Sequence, residues 1–157
     1  MKIYITDLAA YNNGTLRGEW VSLPMDSDEL ETTKAKYGEE IFISDFEGFP
    51  FDVKEYSSAQ ELNTIAEFLD GLEEHALACY KYLRDDGFSH EDAAEKYEEV
   101  TFYPDSKLKD VAEQLVDDGC FGEIPTAVAN YIDYEAIGRD LRHDGYTETD
   151  EGVFCVN

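Results

Sequence analysis

The 157-residue sequence predicts an α+β fold, drawn out as an elongated chain of three small units: an N-terminal α+β sheet unit, a central helical bundle and a C-terminal α+β unit. Three observations predict it. Hydrophobic residues recur with period 2 up to about residue 57, with period 3.6 from Ser58, and as a short apolar run again at Val153–Val156. The acidic excess divides almost evenly over residues 1–57, 58–103 and 104–157, with nets of −7, −9 and −9 within a total of −25. Aromatic residues make up 13% and hydrophobic residues 43% of the chain, more than a disordered acidic sequence carries, so the charge belongs on folded surface.

In the first unit, Lys2–Thr6 alternates as a half-buried strand and Glu19–Leu23 as a second. Between them runs Asp7-Leu-Ala-Ala-Tyr-Asn-Asn-Gly-Thr-Leu-Arg-Gly18, read as a strand-to-strand loop. Asn12, Asn13 and Gly14 tolerate positive φ and place a tight reversal there, and Gly18 admits a close backbone approach. Asp26 or Ser27 caps a helix through about Tyr37, which Gly38 ends; Glu40–Phe46 alternates as a third strand. Gly48-Phe49-Pro50 breaks the pattern, and 52–58 reads as a linker.

From Ser58, Leu62, Ile65, Ala66 and Leu69 share one helical face, and Leu72, Ala76, Cys79, Tyr80 and Leu83 another. Ser89 is the N-cap of a third helix that turns Ala93, Ala94 and Tyr97 inward, while Glu91, Asp92, Glu95, Glu98 and Glu99 crowd its other side. Pro104 closes this segment. Ser106 caps a helix with Leu108, Val111, Ala112, Leu115 and Val116 on its apolar face, ended by Gly119; Pro125 begins another through Ile132, and Asp133 a third to about His143. Val153–Val156 is the second arm of a hairpin turned at Asp150-Glu151-Gly152.

Composition excludes several classes of function. Three cysteines, Cys79, Cys120 and Cys155, lack any CxxC spacing and form neither a disulfide framework nor a zinc site. No run approaches the roughly 20 apolar residues that span a bilayer, and the first residues lack an apolar signal core, so a cytoplasmic, soluble protein without membrane contact is expected. There is no phosphate-binding Gly-rich loop, GxSxG, HExxH or EF-hand loop, and no cofactor or metal site is expected. His75 and Cys79 have a spacing compatible with a metal, but two ligands make a weak site, and core packing is the simpler reading of Cys79. For Arg139 the simpler reading is an ion pair with Glu135 at i,i+4.

Three segments resemble the ArdA antirestriction proteins: Asp7-Leu-Ala-Ala-Tyr-Asn-Asn-Gly followed by Gly18-Glu-Trp20; Ile41-Phe-Ile-Ser-Asp-Phe-Glu-Gly-Phe49; and Tyr131-Ile-Asp-Tyr-Glu-Ala-Ile-Gly-Arg-Asp-Leu141. They occur in the family's order and span nearly the whole chain. The resemblance implies a non-enzymatic DNA mimic that inhibits type I restriction-modification enzymes by occupying the DNA-binding groove of the methyltransferase core, without binding nucleic acid itself. It also implies a homodimer held through the C-terminal unit, where an antirestriction segment matches about Leu108–Leu141 and includes Asp117, Asp118, Glu123, Asp133 and Glu135. Phe121, Ile124, Val128 and Tyr131 are the expected apolar dimer contact.

For any one acidic run, such as Glu98-Glu99, the plain reading is a solvated helix face. An acidic enzyme or a divalent-ion-binding domain with one localised carboxylate site is the competing class. A concave site with perturbed groups distinguishes that class from carboxylates spread over a convex exposed surface. On the scale of duplex DNA, one negative charge per about 1.7 Å, 25 charges correspond to roughly 40 Å and a dimer's to roughly 85 Å.

Overall fold

The computed structural model describes residues 1–38 and 40–156. They form an α+β fold in two compact units, Met1–Glu73 and Glu74–Asn157. The divisions expected near 57 and 103 do not coincide with this one, and the packing within each unit shows why.

In the first unit, β1 (Lys2–Asp7), β2 (Gly18–Ser22) and β3 (Ile41–Glu47) form an antiparallel sheet with β1 central. Alternation sends Ile3 and Ile5 to one face, where Val21, Leu23 and Ile43 join them in a core completed by Leu30 of α2 (Ser27–Ala35) and by Ala59, Leu62 and Ala66 of α3 (Ala59–Asp70). The Asp26 carboxylate accepts the N–H groups of Asp28 and Glu29, which starts α2 where expected, and Ser58 caps α3 by accepting from Glu61. One buried polar side chain fixes α3 to this unit. The Asn63 amide donates to the Met25 carbonyl at 2.8 Å and accepts from the Met25 N–H at 2.9 Å. Of the three helices expected to share a central bundle, α3 therefore lies with the first sheet, because its apolar face covers Ile3 and Ile5.

The loop expected after β1 contains a short helix, α1 (Leu8–Asn12). Asp7, itself buried, caps it by accepting from Ala10 at 2.9 Å and holds Arg17 at 3.2 Å through its other oxygen. The turn that follows has Gly14 at φ +77°, as its Asn-Asn-Gly context requires. A Cβ at Gly14 would meet open space, so Gly14→Ala isolates the conformational cost of the left-handed backbone. We expect a loss of about 1 kcal/mol, read as a lowered midpoint in denaturation followed by the emission of Trp20, the chain's one tryptophan. An unchanged midpoint would show that the turn relaxes.

The second unit opens with α4 (Glu74–Asp85) and α5 (His90–Lys96), the latter capped by Ser89, whose hydroxyl accepts from Asp92 N–H. Residues Val100–Pro104, expected to end a helical segment, form strand β4, consistent with their β-branched and aromatic content. β4 and β5 (Tyr146–Thr149) flank β6 (Gly152–Val156) in an antiparallel sheet, and β5 and β6 turn at Asp150-Glu151 as expected. On one face Val153 packs with Leu108, Val111 and Ala112 of α6 (Leu108–Asp117) and Leu141 of α8 (Tyr134–Leu141). On the other, the Phe154 ring stacks between Phe102 and Tyr82 of α4, at centroid distances of 4.3 and 4.4 Å. Burial on both faces explains why β6 reads as a continuous apolar run.

Two helix ends differ from expectation. Lys107, not Ser106, is the cap residue of α6; the Asp110 carboxylate accepts its N–H, while the Ser106 hydroxyl donates to the Pro104 carbonyl. After Pro125 only one helical turn forms, α7 (Thr126–Ala129).

Candidate functional site

Of the 36 acidic residues described, 34 are exposed; Asp7 is buried and Glu19 half-buried. The first unit holds 16 acidic and 5 basic residues and the second 21 and 7, so both are strongly negative. The ten acidic residues singled out from the sequence are all exposed and all lie in the second unit. Glu91, Asp92 and Glu95 stand on α5, with Glu98 and Glu99 on the 3₁₀ turn after it; Asp117 ends α6, Asp118 follows it, Glu123 lies in the next loop, and Asp133 and Glu135 open α8.

Local structure accounts for some of these and not others. Asp92 accepts from the Ser89 hydroxyl at 2.9 Å, and Asp133 caps α8 by accepting from Ala136 at 2.9 Å. The Glu91 carboxyl is held below the usual carboxylate range first by its own backbone N–H. All three sit at helix N-termini, where negative charge is favourable. Asp117 and Asp118 sit at the opposite end of α6, where the dipole disfavours them, so nothing in the helix explains them. Asp117 and Glu123 line one open hollow with Val116, Ile124, Ile132 and Tyr134. Beside it the expected apolar contact residues Phe121, Val128 and Tyr131 are 53, 48 and 86% exposed, and Ile124 is half-buried.

The acidic surface is interrupted by a feature that sequence reasoning missed. Lys107, Lys109, Arg139 and Arg142 line one open groove together with Glu135 and Glu148. Gly138 lets it form: α8 lies so close to the start of α6 that a Cβ there would stand 3.0 Å from the Leu108 carbonyl. Glu135, expected to pair with Arg139, instead meets Lys109 at 3.7 Å, and Glu148 accepts from the Leu108 N–H. The i,i+3 spacing of Arg139 and Arg142 was the available signal, but only the helix contact adds the two lysines.

Raised pKa values fall both on surface groups, Lys81 through its hydrogen bond to Glu151 and Tyr97 through that to Glu98, and on groups packed in or against the cores. Burial pushes Tyr80, Tyr103, Cys79 and Cys155 upward and Tyr146 to about 12. Cys79 takes the core position expected of it, its thiol donating to the Val100 carbonyl, and the His75 ring lies against Phe102. Among the described residues no group of three or more His, Cys, Asp or Glu is placed to hold a metal ion, and no helix is long and apolar enough to cross a membrane.

Residues 3–155 match the family model of the antirestriction protein ArdA. The chain belongs to the ArdA family. Among curated proteins none matches it. Membership supports an antirestriction function, and the ArdA family is a non-catalytic one. The three ArdA-like segments fall on β1–α1–β2, on β3 with the turn after it, and on the approach to α8 with α8 itself. In the first, buried Asp7 caps α1 and holds Arg17, which lies between the two blocks of that segment, reaches the Lys36 carbonyl and lies over the Tyr37 ring, so Asp7 specifies the unit's own structure. Gly138 in the third is likewise structural.

Proposed function

We propose that this ArdA-family protein is a DNA mimic that occupies the DNA-binding groove of a type I restriction-modification enzyme, at its methyltransferase core. The observation that carries the reading is the exposure of 34 of 36 described carboxylates over both units, around tightly packed cores. A cationic groove built for a duplex attracts such a surface through the same long-range field and counterion exchange that draw it to phosphates. The protein carries the same sign of charge as DNA and is expected to have no affinity for it. It acts where the enzyme does, in the cytoplasm. The test is displacement of a labelled duplex from a purified type I methyltransferase across a salt series, with inhibition weakening as salt rises.

The protein acts as a homodimer in this reading, joined through Phe121, Ile124, Val128 and Tyr131. Large apolar side chains left this exposed are favoured sites of association. Sedimentation at micromolar concentration should give twice the chain mass, and Tyr131→Asp should return the monomer. A monomeric wild-type protein would contradict the contact.

A further inference from the structure

The outer face of the first sheet carries an aromatic and acidic surface to which antirestriction assigns no role. Its inner face is filled by Ile3, Ile5 and the helices α2 and α3. On the outer face, β1 register sets Tyr4 opposite Trp20 on one side and Asp45 on the other, and Lys2 opposite Ser22 and Glu47. Trp20 is 46% exposed and meets Tyr4 edge to face, centroids 5.4 Å apart. Gly18 leaves room for the Tyr4 ring, because a Cβ there would run into it and into the Ile5 carbonyl. Lys2 pairs with Glu47 at 3.4 Å, whereas Asp45 makes no ion pair among the described residues and accepts only the Phe46 N–H.

We propose that this face is a subsite for an arginine side chain of the bound enzyme, with the guanidinium on the Trp20 ring and its outer N–H groups donating to Asp45. The inference rests on the proposed function in taking the partner surface to be a cationic, DNA-binding one. Neighbouring strands lie about 4.8 Å apart, so Trp20 and Asp45 stand about 10 Å apart across Tyr4, with the phenol as floor for the aliphatic stem. Tryptophan is the best aromatic acceptor for a cation, and the planar guanidinium both stacks and forks toward a carboxylate. The unit's net negative charge favours such a guest and opposes a nucleic acid base with its phosphates.

Trp20, as the one tryptophan, reports on the site directly. Labelled hexa-arginine and hexa-lysine peptides are titrated against the full chain at moderate salt, with anisotropy measuring binding and tryptophan emission measuring occupancy of this face. Hexa-arginine is expected to shift Trp20 emission with the same midpoint as its anisotropy, and hexa-lysine to shift it less at equal saturation. Trp20→Ala should lower hexa-arginine affinity about threefold to fivefold and Trp20→Phe less. Asp45→Asn should weaken binding more than Glu61→Gln, which removes the same charge from α3 on the opposite face. Unmoved Trp20 emission at saturating anisotropy, or equal effects of Asp45→Asn and Glu61→Gln, would overturn the subsite. If the peptide results hold while the duplex is not displaced from the methyltransferase, the subsite stands and the mimic reading falls. Far-UV circular dichroism of each variant checks folding, and Asp45→Asn keeps the test open if Trp20→Ala does not fold.

Discussion

Gly152→Ala is expected to destabilise the second unit by about 2–6 kcal/mol. Gly152 has φ +140°, a region L-residues avoid at a cost of about 1–3 kcal/mol. Its added Cβ would also run into the Tyr103 carbonyl and stand 3.1 Å from the Asp105 nitrogen, so the obstacle is the backbone of the paired strand. Overpacking of that kind costs about 1–3 kcal/mol more. Whole domains are stable by only about 5–15 kcal/mol, so the variant should express poorly or denature at a much lower denaturant concentration. The comparison with Gly14→Ala separates the two causes: both glycines have positive φ, but only Gly152 is hemmed in. A Gly152→Ala midpoint as high as that of Gly14→Ala would show that β4 and β6 can part without loss.

The second large effect is on inhibition. Neutralising Glu95, Glu98, Asp117, Asp118 and Glu123 together, as amides, should weaken displacement of the duplex about fiftyfold or more, while each change alone costs twofold to threefold. Exposed charge pairs are worth about 0.5 kcal/mol each, and every 1.4 kcal/mol is a factor of ten. These five leave out Asp92 and Asp133, whose hydrogen bonds start α5 and α8. Asp117→Asn and Asp118→Asn add a second readout, because both relieve an unfavourable charge at the C-terminus of α6. Stability should hold or rise by a few tenths of a kcal/mol while inhibition falls, the opposition expected where charge is kept for binding. Abolition of inhibition by one conservative change would favour a localised carboxylate site instead. Unchanged inhibition by the fivefold variant would remove these residues from the interface.

The groove of Lys107, Lys109, Arg139 and Arg142 bears on the same experiment. Four of the second unit's seven basic residues line this groove, which leaves Lys81, Arg84 and Lys96 to offset the acidic residues elsewhere on that unit.

Much of this architecture was legible from local chemistry. Alternation placed β1, β2 and β3; the pair Asp26 and Ser27, the change of period at Ser58, and Ser89 and Asp133 announced helix starts, where Asp26, Ser58, Ser89 and Asp133 accept backbone N–H groups; Asp150-Glu151-Gly152 announced the final hairpin. Overall charge and its spread along the chain are properties of composition, and the three family segments are properties of residue order. What tertiary structure alone decided is which elements share a core. The apolar face of α3 fits a bundle or a sheet equally well, and the choice came from Ile3, Ile5 and the Asn63 bonds to Met25, 38 residues away. Val100–Pro104 became a strand because β6 offered unpaired edges, a partner about 50 residues distant. The basic groove and the Tyr4–Trp20–Asp45 face arose in the same way, since helix contact and strand register bring together side chains that no local spacing joins.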